Sequence, residues 1–116
     1  MGIVFGAVAP HGFPIIPELS DDAEGGLATR AAMGVLAQRC AAARPDVLVV
    51  ATPHGVRVDG MVCLAYTARG AGTLRWHGRQ IEMNVPLDRA ATEAIAEAAR
   101  ELGVPIALAG FAGNRW

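Results

Sequence analysis

The sequence predicts an α/β fold: a parallel-core sheet that is flanked by helices and carries an inserted hairpin. Two continuous apolar segments, residues 3–9 and 47–52, are typical of strands buried on both faces of such a sheet. A helical pattern separates them, and strand, helix and strand in that order indicate a right-handed crossover between parallel neighbours. The chain has 116 residues, of which 53% are hydrophobic and 18% charged. This length and composition fit one domain with a modest core.

The first half of the chain carries a strand, a helix and a second strand. The first strand, residues 3–9, ends at Pro10 because proline has no N–H to donate to a neighbouring strand. Ser20 is a candidate helix cap, and acidic residues follow it where the helix macrodipole favours negative charge. Apolar residues then recur at helical spacing until Arg44, and the proline that follows stops the helix. The second strand, residues 47–52, comes directly afterwards.

The second half adds the hairpin, a helix and a further strand. Residues 61–67 are predicted as a third strand, residues 69–72 as a turn, and residues 73–85 as a more polar hairpin arm. Asp88 is expected to cap the second helix, which a glycine closes. Residues 104–109 form another apolar strand. The stripe predicted to be buried on the second helix consists of Ala91, Ile95, Ala98 and Leu102.

Charge and hydropathy exclude two classes of partner. The formal net charge is −1, and all ten basic residues are arginines scattered along the chain. Because counterion release needs clustered cations, no nucleic-acid surface is expected. The apolar segments are far too short to span a bilayer, so no membrane partner is expected. With no signal-peptide pattern recognised and no metal-site spacing around Cys40 and Cys63, we expect a cytoplasmic protein whose two cysteines are buried and reduced.

The strand predicted over residues 104–109 is followed by a glycine-rich stretch in which no covering helix is predicted. A parallel strand that is buried on both faces needs helices on both sides. Either a partner supplies this cover or the domain continues. We favour the second interpretation, in which Met1–Trp116 is the N-terminal portion of a single, incomplete α/β domain. Its exposed apolar surface then predicts an oligomer or self-association.

Two Pro-His-Gly triplets, residues 10–12 and 53–55, each follow one of the first two predicted strands. Proline ends the strand and glycine permits a sharp turn or a positive φ, so each histidine is held where its strand ends. If the strands are parallel neighbours, His11 and His54 lie on the edge where open α/β sheets bind ligands. Two imidazoles there suit a divalent transition metal. The alternative is two unrelated loop histidines, each hydrogen-bonded to backbone.

Two histidines do not complete a metal site. A 2-His-1-carboxylate triad needs an acid and leaves positions open for a substrate and O₂. Glu18 and Asp59 lie in the loops after the two triplets and are candidates for this ligand, although solvated loop acids are commoner. His77 lacks the strand-Pro-His-Gly setting and is expected to be an exposed hairpin residue.

The segments that contain the triplets, residues 6–12 and 44–56, resemble the N-terminal part of the class III extradiol ring-cleavage dioxygenases, the family of the protocatechuate 4,5-dioxygenase catalytic subunit. The resemblance implies parallel strands flanked by helices, and O₂-dependent opening of catechol-type rings beside their hydroxyls. It also implies that His11 and His54 bind a non-haem Fe(II). The family's Glu ligand and its acid–base His come from much later in the chain, and no position in Met1–Trp116 matches either one.

Three functions remain open at this stage. The first is a portion of an Fe(II)-dependent extradiol dioxygenase, which opens catechol-type rings with O₂ when complete and is inactive as this chain alone. The second is a non-catalytic metal- or ligand-binding α/β module, for instance one subunit of a hetero-oligomer. The third is a zinc hydrolase that uses the same two histidines. The identity of the bound metal separates them.

Overall fold

A computed structural model describes residues 2–21 and 25–110. A short 3₁₀ turn, Phe13–Ile15, comes first along the chain. The helices are α1 (Leu27–Ala43) and α2 (Arg89–Glu101). The strands are β1 (Val62–Ala65), β2 (Arg69–Trp76), β3 (Arg79–Pro86) and β4 (Ile106–Ala109).

The strands β1 and β4 pair in parallel, and the helix α2 lies between them along the chain. Their register places Val62 opposite Ile106 and Ala65 opposite Ala109. The amide of Tyr66 extends the ladder by donating to the carbonyl of Ala109 at 2.8 Å. Parallel neighbours need a crossover connection, which here contains both α2 and the hairpin. The α/β class with a parallel pair and an inserted hairpin is thus confirmed, but the pair consists of β1 and β4 and not of residues 3–9 and 47–52.

The strands β2 and β3 form the hairpin, and the turn that joins them consists of His77 and Gly78. Both residues have positive φ, 49° and 75°, as a type I′ turn requires. The prediction of a turn at residues 69–72 is wrong, because these residues begin β2. Their glycines suggested a turn, but pairing with β3 overrides that local preference.

The helix α1 begins later than predicted, at Leu27 rather than near Ser20. The cap is Gly26 with a φ of 80°, whereas Ser20 is buried and donates from Oγ to the carbonyl of Phe13 at 2.7 Å. Residues 22–24 of the predicted helix start lie outside the described residues. The predicted stop is confirmed, since α1 ends at Ala43.

The helix α2 is capped as predicted, because a carboxylate oxygen of Asp88 accepts from the amide of Ala91 at 3.0 Å. Its buried face differs from the predicted stripe. Ala96 is fully buried, whereas Leu102 is 80% exposed. The helix α2 therefore packs on β4 and β1 with the face around Ala96. The spacing of apolar residues alone did not identify this face.

Residues 3–9 and 47–52, the two strands predicted first, are not strands among the described residues. Their side chains are largely exposed, with Ile3 at 93% and Val50 at 75%. An extended apolar segment becomes a buried parallel strand only when neighbours satisfy its backbone groups and helices cover its faces. The described residues supply neither for these two segments, so the α/β domain is incomplete.

Chain contacts divide the protein into two compact units. The first comprises the described residues of Met1–Leu48 and Thr73–Glu82, and it contains α1 and the hairpin turn. The second comprises those of Val49–Gly72 and Met83–Trp116, and it contains β1, α2 and β4. Within the described part of the chain, neither helix is long and apolar enough to cross a membrane.

We expect Asp88→Ala to destabilise α2 by about 0.5–2 kcal/mol, because it removes the acceptor for an otherwise unpaired amide at the helix start. Urea unfolding followed by circular dichroism measures the change. Asp88→Asn keeps a capping oxygen and should remain close to the parent protein. Equal losses in both variants would contradict the capping role.

Candidate functional site

The two Pro-His-Gly triplets share a backbone feature that the sequence predicted. Gly12 has a φ of 139° and Gly55 a φ of 103°, both in the region that favours glycine. A Cβ on Gly55 would meet no atom within 4 Å. At this position glycine is therefore required by the backbone conformation and not by crowding. The expected positive φ after each histidine is confirmed.

The structure places the two histidines in different units. His11 belongs to the first unit, follows the apolar residues 3–9 and Pro10, and precedes the 3₁₀ turn. His54 belongs to the second unit, and its backbone amide donates to Oγ1 of Thr52 at 3.2 Å. Both residues are exposed. Each unit thus contributes one exposed histidine that follows an apolar segment and a proline.

The candidate carboxylates are divided in the same way. Glu18 lies in the first unit with His11, and Asp59 lies in the second with His54. Both are exposed. Within residues 2–21 and 25–110, no three His, Cys, Asp or Glu side chains form a group that could hold a metal ion. Neither Glu18 nor Asp59 therefore forms a three-residue ligand group with a histidine within these residues.

An open groove of about 870 Å³ lies within the second unit, and His54 is part of its lining. Apolar side chains such as Val50, Val56 and Ile95 form much of its wall. Arg57 and Asp59 add charge of both signs in the loop that follows His54. A mostly apolar concavity with a few polar groups is the usual character of a small-molecule site. The groove therefore gives His54 an environment in which an apolar ring could lie beside an imidazole.

His77 and the cysteines complete the residues considered from sequence. His77 is exposed in the hairpin turn, as expected, and its ring meets that of Trp76 edge to face at 4.5 Å between centroids. Cys40 and Cys63 are free thiols, but they are half-buried rather than buried. Cys63 lies in a strand of a two-stranded sheet, which cannot enclose it.

A cluster that the sequence did not predict lies at the carboxyl end of β1. Tyr66 directly follows β1 and donates from its hydroxyl to a carboxylate oxygen of Glu93 on α2. The guanidinium of Arg89 lies 5.7 Å from the centre of the Tyr66 ring. The hydrogen bond to Glu93 holds the proton on the phenol and raises the pKa of Tyr66 above 10.0, and the negative charge of Glu93 adds to this effect. The sequence predicted Tyr66 as part of the strand over residues 61–67, whereas that strand ends at Ala65, and no sequence pattern indicated the contact with Glu93.

No protein-family model, no curated protein and no solved structure matches this chain. Any indication of function therefore lies in the chain's own residues. These include two exposed histidines that each precede a glycine with positive φ, a mostly apolar groove lined in part by one of them, and a tyrosine–carboxylate pair in the unit that contains the groove. The imidazoles are suited to metal binding, and the tyrosine–carboxylate pair can hold a proton.

Tyr66 is the single tyrosine of the chain, so its ionisation can be followed by phenolate absorbance. We expect a midpoint above 10.0, and Glu93→Gln should lower it because the opposing charge is removed. Since the folded state holds the proton more tightly than the unfolded state, the contact stabilises the fold at lower pH. That contribution is lost as pH rises through the folded-state pKa.

Glu97→Gln is the matched control for this titration, because Glu97 lies on the same helix and contacts Arg100 instead of Tyr66. Its midpoint should equal that of the parent protein. A parent midpoint at or below 10.0 would show that the Glu93 contact is not formed in solution.

Proposed function

We propose that this chain is the histidine-bearing part of a non-haem Fe(II)-dependent extradiol dioxygenase, which opens catechol-type aromatic rings with O₂ when complete. The observation that supports this most strongly is the repeated local structure at His11 and His54. Each follows an apolar segment and a proline, and each precedes a glycine with positive φ. Two unrelated loop histidines would have no reason to share this setting. The resemblance of the same segments to the class III extradiol dioxygenases supports the same interpretation.

The donor set fits the proposed metal in part. Neutral imidazoles are good ligands for Fe(II), and two of them with one carboxylate make the facial triad of many non-haem iron oxygenases. His11 and His54 would hold the iron, and a carboxylate would complete the set, from Glu18, Asp59 or further polypeptide. Bound iron would let electron density pass from a chelated catecholate to O₂. The chain's own contribution is to present both imidazoles to solvent on turns of defined conformation.

The groove of the second unit is the proposed place for the aromatic ring. Its apolar side chains would contact the ring, and His54 in its lining would lie beside the ring's hydroxyls. General acid–base catalysis would then require a group to accept the second catechol proton. In the class III extradiol dioxygenases, which this chain resembles, a histidine from later in the chain acts as this acid–base group. We therefore propose that the activity needs polypeptide in addition to these 116 residues.

The same groove favours the second candidate function, a non-catalytic ligand-binding module. An apolar depression with one imidazole and charges of both signs could bind an aromatic molecule without converting it. A zinc hydrolase would use the same two histidines but a different metal. Fe(II) dependence with oxygen uptake favours the dioxygenase, zinc-dependent hydrolysis favours the hydrolase, and binding without turnover favours the module.

We place this activity in the cytoplasm, because the two free thiols, Cys40 and Cys63, suit a reducing compartment. The proposed partners are a catechol-type substrate and O₂, with no nucleic acid. Self-association is also proposed. Residues 3–9 and 47–52 are apolar and largely exposed, and exposed apolar surface favours association with another chain.

We expect weak Fe(II) binding in an anaerobic titration, because only two of three ligands are assigned. His11→Ala or His54→Ala should each weaken it by more than the roughly 10–100-fold that losing an outer-shell partner costs. His77→Asn is the matched control, since it removes the third imidazole while asparagine tolerates the positive φ of the turn. Binding that survives both alanine substitutions would place the metal elsewhere.

We also expect no catechol cleavage by this chain alone. Loss of general acid–base catalysis typically costs about 10²–10⁴ in rate, and the acid–base group is unassigned here. The assay adds protocatechuate and related catechols with Fe(II) under air and follows oxygen uptake and the ring-opened product. Robust turnover would contradict the proposed need for further polypeptide and would direct the search for the missing ligand to Glu18 and Asp59.

A further inference from the structure

The loop of residues 12–21, which directly follows His11 and is termed here the His11 loop, holds the two buried residues of the described part of the first unit. It contains Leu19, which is fully buried, and Ser20, which is nearly so. Backbone amides of both residues donate to the carbonyl of Ile16, at 3.0 and 3.1 Å. The Oγ of Ser20 also closes the loop by donating to the carbonyl of Phe13. A loop this close to a candidate ligand histidine is thus ordered by its own contacts.

The side chain of Arg30 on helix α1 donates hydrogen bonds to backbone carbonyls of the His11 loop. Its Nε donates to the carbonyl of Pro14 at 2.7 Å, and its Nη2 donates to the carbonyls of Ser20 and Asp21 at 3.1 and 3.2 Å. These three acceptors lie near the two ends of the loop. A planar guanidinium can serve all three at once, which a lysine ammonium cannot do with the same geometry.

Residues beside the hairpin turn contact the same loop. The ring of Phe13 stacks on that of Trp76, with 4.6 Å between centroids and 7° between planes. The guanidinium of Arg79, just past the hairpin turn, pairs with the carboxylate of Asp21. The hairpin therefore contacts the loop at both ends, and Phe13 is only two residues from His11.

We propose that Trp76 and Arg30 are positioning residues for His11. Only Gly12 separates His11 from Phe13, so the place where Phe13 is anchored limits where the imidazole can lie. A ligand that is held before the metal arrives loses less conformational freedom on binding. The inserted hairpin thereby acquires a role, which is to preorganise one metal ligand. This role rests on the proposed function, because it requires His11 to bind a metal.

The test compares Trp76→Leu with Trp76→Phe, using the full chain and Fe(II) as the probe under anaerobic conditions. Loss of the aromatic stack in Trp76→Leu should weaken Fe(II) binding about 2- to 10-fold, which corresponds to the free energy of an aromatic pair. Trp76→Phe keeps an aromatic ring and should retain most of the parent affinity. Leu102→Ala, a change at an exposed apolar residue of the second unit, should leave the affinity unchanged. Arg30→Lys should also weaken binding, because an ammonium cannot reproduce the geometry in which the guanidinium contacts both ends of the loop.

Hydrogen exchange at the amides of Leu19 and Ser20 provides a second, metal-free measurement. Both should exchange faster in Trp76→Leu, while α2 amides keep their parent rates. Faster exchange with unchanged Fe(II) affinity would show that Trp76 has only a structural role and would overturn the proposal. Unchanged exchange in Trp76→Leu would also overturn it. A parent protein that does not bind Fe(II) would instead overturn the proposed function itself.

Discussion

The parallel pairing of β1 with β4 is the constraint on which the second unit depends. Parallel strands cannot be joined by a tight turn, so the chain between them must leave the sheet and return. The helix α2 makes that return and buries Ala96. The same pairing fixes the carboxyl end of β1, where the Tyr66 amide still donates to Ala109 and the phenol reaches Glu93. One backbone ladder thus accounts for the unit's small core and for its tyrosine–carboxylate pair.

The same constraint explains why the domain is incomplete. Two strands paired on one side each leave an outer edge of donors and acceptors, and a parallel sheet is normally covered on both faces. Among the described residues, 3–9 and 47–52 have the composition for such positions but form no strand and remain largely exposed. Each leads into a Pro-His-Gly triplet. The exposed apolar segments and the exposed histidines are therefore neighbours along the chain.

Local chemistry made part of the structure predictable. The end of α1, the Asp88 cap and the positive φ of Gly12 and Gly55 each depend on one or two neighbouring residues. Strand formation by residues 47–52 failed as a prediction because it depends on partners far along the chain, which periodicity does not reveal. The Tyr66–Glu93 contact spans 27 residues and was unpredictable for the same reason. Whether the two histidines share a metal remains a hypothesis from their repeated setting.

X-ray absorption of the chain, loaded anaerobically with Fe(II), tests the central claim most directly because it counts imidazoles on the metal. The account predicts two histidine ligands in the parent protein and one in each of His11→Ala and His54→Ala. His77→Asn should retain two. Iron without histidine ligands in the parent, or a ligand count that neither alanine substitution changes, would contradict the proposal that His11 and His54 bind one metal.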